Sequence, residues 1–242
     1  MSLRLGFDVD GVMADFRAAF RETAARTTRR DVDDGVADLS SQSASPLSAD
    51  EIRRVWDQIA KTSNWWMEMN AYEPEQIARL YALARAAGWE VFFLTKRPRS
   101  AGDSVQFQTQ WWLERHGFYL PSVLTVPGSR GEVANALRLD ILVDDQLINC
   151  VEVVSASPTK AMLMQRVHEA GEKEHATSRG IGVVSTLSAA LGVIERLQGI
   201  LADKRGRLVR LSDWFQGTAE TQTLPQNPRA VRPVPNFDPT TR

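Results

Sequence analysis

Short apolar runs alternate with stretches of helical spacing along most of this chain. The runs are Leu3 to Phe7, Glu90 to Leu94, Ser122 to Val126, Asp140 to Val143 and Ala161 to Met164, with a weaker one at Gly182 to Val184. Runs of four to six such residues, each followed by turn residues, read as strands buried on both faces. Between them, Ile77, Leu80, Tyr81 and Ala84 recur at helical spacing before Gly88, a C-terminal stop. Leu187, Leu191, Ile194 and Leu197 do the same after Ser185, read as an N-cap. Strands alternating with helices predict an α/β fold with a parallel sheet.

Residues 8–89, between the first two strands, make far too long an interval for one crossover helix. Helical spacing appears there around Phe16, Phe20 and Ala24, and again around Ile52, Val55, Trp56 and Ile59. The serine-rich stretch Asp31 to Asp50 separates them and reads as a mobile loop. The expected organisation is a core from residues 1–13 and 73–203, a helical insert from 14–72, and an extended tail from 204–242. The tail holds five of the 11 prolines from Pro225 onward and has no periodic pattern.

Composition narrows the function classes. Lys plus Arg number 29 against 30 for Asp plus Glu, so bulk charge offers no grip on nucleic acid polymers or anionic membranes. The single cysteine, Cys150, and three histidines cannot build a disulfide or a zinc finger. The N-terminus reaches charged residues too soon for a signal peptide, and no apolar run approaches the roughly 20 residues of a membrane span. The expectation is a cytoplasmic protein, with a homodimer left open.

Chemistry collects at the strand ends. The first strand runs into Asp8-Val9-Asp10-Gly11, the second into Thr95-Lys96-Arg97-Pro98, and the fourth into Asp144-Asp145. Arg130 opens the helical pattern after the third. The C-terminal ends of a parallel sheet border the ligand crevice, so these groups are expected to meet there. Crowded carboxylates need compensation. Asp8, Asp10, Asp144 and Asp145 suit Mg²⁺, while Thr95, Lys96 and Arg130 are donors for an anion such as phosphate. His116, His168 and His175 are scattered, Cys150 reads as a buried apolar group, and Trp111-Trp112 as core. Lys204, Arg205, Arg207 and Arg210 read as a solvated helix end.

DVDGV at residues 8–12, FFLTKRP with Thr95, and ILVDD with Asp144 and Asp145 together resemble the motifs of the haloacid dehalogenase-like superfamily of aspartate-nucleophile phosphohydrolases. The resemblance covers roughly residues 3–200. It implies a Rossmann-like parallel sheet, and it makes the insert a small helical C1 cap after the first strand. Asp8 would be the nucleophile, Asp10 the acid and base, and Thr95 and Arg130 phosphate-binding groups. Gly11 and Lys96 would bind through nearby backbone amides, and Mg²⁺ would be held at Asp8, Asp10, Asp144 and Asp145. Arg130 stands where the family normally has a lysine, and arginine carries its charge on a longer planar head. The aromatic pair Trp65-Trp66 resembles the cap pair of the 5′-nucleotidase and 5′(3′)-deoxyribonucleotidase branch, which implies a base stacked in a nucleoside monophosphate pocket. The expected partner is a small phosphorylated substrate. A binding or regulatory protein of the same fold is the second reading, and Asp10 speaks against dehalogenation.

Overall fold

The computed structural model describes residues 2–32, 46–166 and 171–199. Residues 33–45 of the serine-rich stretch, His168, the basic cluster at Lys204, Arg205, Arg207 and Arg210, and the proline-rich tail lie outside the described residues. The chain divides into two units, Met1–Gln198 and Gly199–Arg242, and every strand among the described residues belongs to the first.

The elements run β1 (Arg4–Asp8), α1 (Phe16–Thr28), α2 (Ala49–Lys61), a 3₁₀ turn (Trp65–Met67), α3 (Pro74–Ala87), β2 (Glu90–Thr95) and α4 (Val105–Arg115). They continue with β3 (Ser122–Thr125), α5 (Arg130–Leu137), β4 (Ile141–Asp144), α6 (Leu147–Ala156), β5 (Lys160–Met164), α7 (Glu172–Ser178) and β6 (Gly182–Val184). A final helix begins at residue 187. The six strands form one parallel sheet in the order β3-β2-β1-β4-β5-β6, a Rossmann-like α/β core. Each predicted run is a strand.

Alternation along the strands divides the core. Leu5, Phe7, Val91, Phe93, Ile141, Val143, Met162 and Met164 pack on one face with α3, α4, the final helix and the insert. Leu94, Leu142, Ala161 and Leu163 pack on the other with α5, α6 and α7. This is the period of two expected when helices cover both faces of a sheet. The chain leaves β1 for β2 and β3 on one side, then returns to β4 on the other. That reversal places a topological switch point between β1 and β4.

The insert's helices are capped locally. Asp15 accepts from Ala18 N–H at 3.0 Å, and Ser48 with Glu51 forms a capping box. The two crossings between insert and core lie side by side. Asp15 N–H donates to Asn70 O and Tyr72 N–H to Met13 O, at 2.8 and 2.9 Å. Arg166, beyond β5, clasps both by donating to Gly11 O and Val12 O while pairing with Glu73 at 3.0 Å. Glu73 in turn accepts from the Leu187 and Ser188 N–H groups opening the final helix.

Two sequence readings change. The final helix is capped by Thr186, whose hydroxyl accepts from Ala189 N–H, and not by Ser185. Only Trp112 packs the core, while Trp111 is partly exposed, with Arg115 over its ring. Cys150 is buried as expected, and burial pushes its thiol up. Among the described residues, no helix is long and apolar enough to cross a membrane.

Candidate active site

Register brings the first and fourth strand ends together. Phe7 pairs with Val143, so Asp8 and Asp144 leave adjacent strands side by side at the switch point. Both are buried. Arg130 reaches them from the first turn of α5, whose N-cap Ser129 accepts from Gly131 N–H. Its Nη2 donates to Asp8 Oδ1 at 2.6 Å, and its Nε stands 3.5 Å from Asp144 Oδ2. One buried guanidinium therefore bridges two buried carboxylates. Asp144 also accepts from Gln146 N–H and, through both of its oxygens, from Asn149 Nδ2 at 2.9 and 3.1 Å.

Burial, then the charge of Asp144, pushes the Asp8 carboxyl well above its usual range; Asp145 and Asp10 add to this, and Arg130 only partly opposes it. Burial also raises Asp144, against Arg130 and the donors from Gln146 and Asn149. The pocket is thus short of positive charge. Beside it, Thr95 follows Leu94, the register partner of Asp8. Among the described residues the Thr95 hydroxyl and Arg130 Nη1 and Nε are buried with no hydrogen-bond partner, Nε meeting Asp144 only as an ion pair. Buried polar groups without partners are uncommon; here two belong to the guanidinium that meets Asp8 and Asp144, and the third ends the strand next to β1. Lys96 next to Thr95 is exposed.

Asp10 lies on a different partner. Arg97 Nε and Nη2 donate to its two oxygens at 2.9 and 2.8 Å. Sequence reading passed over Arg97 as part of a basic turn. A following proline and the shared strand end were the only local signals. Asn149, five positions after Asp144, was also missed.

Gly11 makes the turn after Asp10 with φ +76°, and a Cβ there would fall 1.9 Å from Asp145 Oδ2. Its own N–H donates to Ala14 O and is spent on the turn. Asp145 therefore packs over the loop backbone.

The aromatic pair does not face an open crevice. Trp65 is 7% exposed and Trp66 1%. Their indole N–H groups are satisfied by Thr23 Oγ1 and Pro98 O, and the rings meet edge to face. Trp66 also covers Arg97. The base-stacking expectation is not met in this arrangement, because both rings are used to pin the 3₁₀ turn to the core.

The donor set fits magnesium. Mg²⁺ uses one or two carboxylates and keeps several waters. Asp8 and Asp144 supply two hard oxygen donors side by side at the switch point. No group of three Asp, Glu, His or Cys side chains gathers around a metal position among the described residues.

No protein-family model matches the sequence, and no curated protein matches it. Solved structures do match. A haloacid dehalogenase-like family hydrolase from Streptococcus pneumoniae aligns over 80% of this chain and 98% of its own, at 13% identity and TM-score 0.51. A hydrolase from Pseudomonas syringae covers 81% and 99%, at 13% and 0.49. CbbY from Rhodobacter sphaeroides, in complex with xylulose-1,5-bisphosphate, covers 77% and 95%, at 15% and 0.43. Identity this low speaks for architecture and not for a branch or a substrate. The parallel sheet, its strand order and the Streptococcus pneumoniae match give this chain the fold of the haloacid dehalogenase-like hydrolases.

Proposed function

We propose that the protein is a magnesium-dependent phosphomonoesterase working through an aspartyl-phosphate on Asp8. The observation that carries this reading is the buried Asp8–Arg130–Asp144 bridge at the switch point, bordered by the unpartnered donors of Thr95 and Arg130. An unpartnered hydroxyl and guanidinium nitrogen beside a carboxylate offer a seat for phosphoryl oxygens next to a nucleophile.

In the first half-reaction an Asp8 oxygen attacks phosphorus. The bond to the leaving oxygen breaks, and Asp10 gives that oxygen its proton. In the second half, water attacks the phosphorus and passes its proton to Asp10. The Asp8–phosphorus bond then breaks, freeing phosphate. Thr95 and Arg130 hold the phosphoryl oxygens throughout. Asp144, fixed by Asn149, would hold the metal with Asp8 and the Asp10 backbone carbonyl. A bound Mg²⁺ supplies further neutralisation of phosphoryl charge.

The substrate we propose is a small phosphate monoester. The buried tryptophans withdraw the stacking support for a nucleoside monophosphate, which stays as one arm of the test. That test is Mg²⁺-dependent phosphate release from nucleoside monophosphates, sugar phosphates and p-nitrophenyl phosphate, with Asp8→Asn as control. Release from at least one ester, lost in Asp8→Asn, is expected. No release from any, or an equally active Asp8→Asn, would leave a binding protein of this fold as the better reading.

A further inference from the structure

Arg97 stands outside the groups assigned above, yet its nitrogens are all committed. Nε and Nη2 grip the two oxygens of Asp10, and Nη1 donates to Thr109 Oγ1 at 2.9 Å. The Thr109 hydroxyl donates its own hydrogen bond to Val105 O at 2.7 Å, which leaves it an acceptor toward Arg97. The Trp66 indole covers the guanidinium, with Cζ 5.0 Å from the ring centroid. The Arg97 side chain is 0% exposed, while that of Asp10 is 23% exposed. The clamp is dry on the arginine side and open on the carboxylate side.

Burying this charge costs desolvation, and an apolar side chain would pack insert to core without that cost. What a two-pronged guanidinium adds is orientation, because parallel N–H donors fix the plane of the carboxylate. The fork also needs both Asp10 oxygens to accept. That is the form of Asp10 that takes a proton, not the one that gives it.

We infer that Arg97 is a positioning residue for the second half-reaction, holding the Asp10 carboxylate in place to receive the proton of the attacking water. As the water oxygen bonds to phosphorus, its proton goes to Asp10, the phosphorus–Asp8 bond breaks, and inorganic phosphate leaves. Trp66 and Thr109 act through Arg97. The inference rests on the phosphatase reading.

p-Nitrophenyl phosphate separates the halves, since nitrophenolate leaves without a proton. Arg97→Met is expected to lower kcat about 10- to 100-fold, the scale of a misplaced catalytic group. KM should fall in parallel and kcat/KM stay within about threefold, with a pre-steady-state burst of nitrophenolate. In an Asp10→Asn background Arg97→Met should add no further loss, and Arg97→Lys should recover part of kcat. A parallel fall in kcat and kcat/KM without a burst, or additive losses with Asp10→Asn, would overturn the clamp. Circular dichroism and Tm report folding. If Arg97→Met fails to fold, Thr109→Val, which keeps the guanidinium, carries the same test with a smaller kcat loss and the same burst. An inactive wild type or an active Asp8→Asn would instead remove the phosphatase reading itself.

Discussion

Replacing Arg130 by methionine removes the cation that bridges Asp8 and Asp144. The pair is tight, at 2.6 Å to Asp8 and 3.5 Å to Asp144, with side-chain exposures of 5%, 10% and 0% for Arg130, Asp8 and Asp144. Deleting one partner of a buried ion pair leaves uncompensated charge and costs about 3–5 kcal/mol. In a unit of this size each kcal/mol moves Tm by roughly 2–4 °C, so the expected fall is roughly 6–20 °C. The assay is thermal unfolding by circular dichroism in the presence of a chelator. Adding Asp8→Asn to Arg130→Met should restore part of the loss, because it removes a carboxylate that the lost cation had balanced. Arg130→Lys should fall between wild type and Arg130→Met, since it keeps the charge but loses the planar fork whose Nη2 and Nε face the two carboxylates. An Arg130→Met protein melting within about 2 °C of wild type would refute the reasoning, because it would place the bridge's worth below about 1 kcal/mol.

Gly11→Ala should lower both Tm and turnover, because φ is +76° and the new Cβ would meet Asp145 Oδ2; wild-type values in both would count against the turn as described. Trp66→Ala should cost about 3–5 kcal/mol of stability, as for other buried aromatic truncations. Its losses on nucleoside monophosphates and p-nitrophenyl phosphate should be equal, and a loss confined to nucleotides would revive base stacking. Glu73 is held below its usual range: burial pushes it up, but the Leu187 and Ser188 N–H groups and Arg166 outweigh that. Its contribution is therefore complete above the unfolded value near 4.5 and is lost as pH falls through the lower folded value. Below about pH 4.5 wild type should lose stability more steeply than Glu73→Gln in acid titrations followed by circular dichroism; parallel curves would contradict this.

Strand positions were legible because short, mainly apolar runs such as Leu3 to Phe7 or Glu90 to Leu94, each followed by turn residues, fit strands covered on both faces. The acidic pairs were legible because they sit immediately after those runs. The meeting of Asp8 with Asp144 followed from the parallel-sheet rule and needed only the strand order. Arg97 was not legible. Its partner Asp10 lies 87 positions away, and nothing local separates a buried guanidinium from an exposed basic turn. The tryptophans failed for a similar reason. Stacking on a ligand and packing on a core ask for the same side chain, and the deciding partners, Thr23, Pro98 and Arg97, come from other elements. Gly11 was legible as a turn residue, but the closure of that turn on Ala14 O was not, because the motif does not announce the place of Ala14 in it.

The central claim is that Asp8 carries the phosphoryl group. Acid quench during steady-state turnover of p-nitrophenyl phosphate with Mg²⁺, followed by mass spectrometry of the peptide containing Asp8, tests it directly. A phosphoryl adduct on Asp8 is expected, accumulating further in Arg97→Met and lost on treatment with hydroxylamine. Turnover with no adduct on Asp8 in either protein, or an adduct that forms equally in Asp8→Asn, would contradict it.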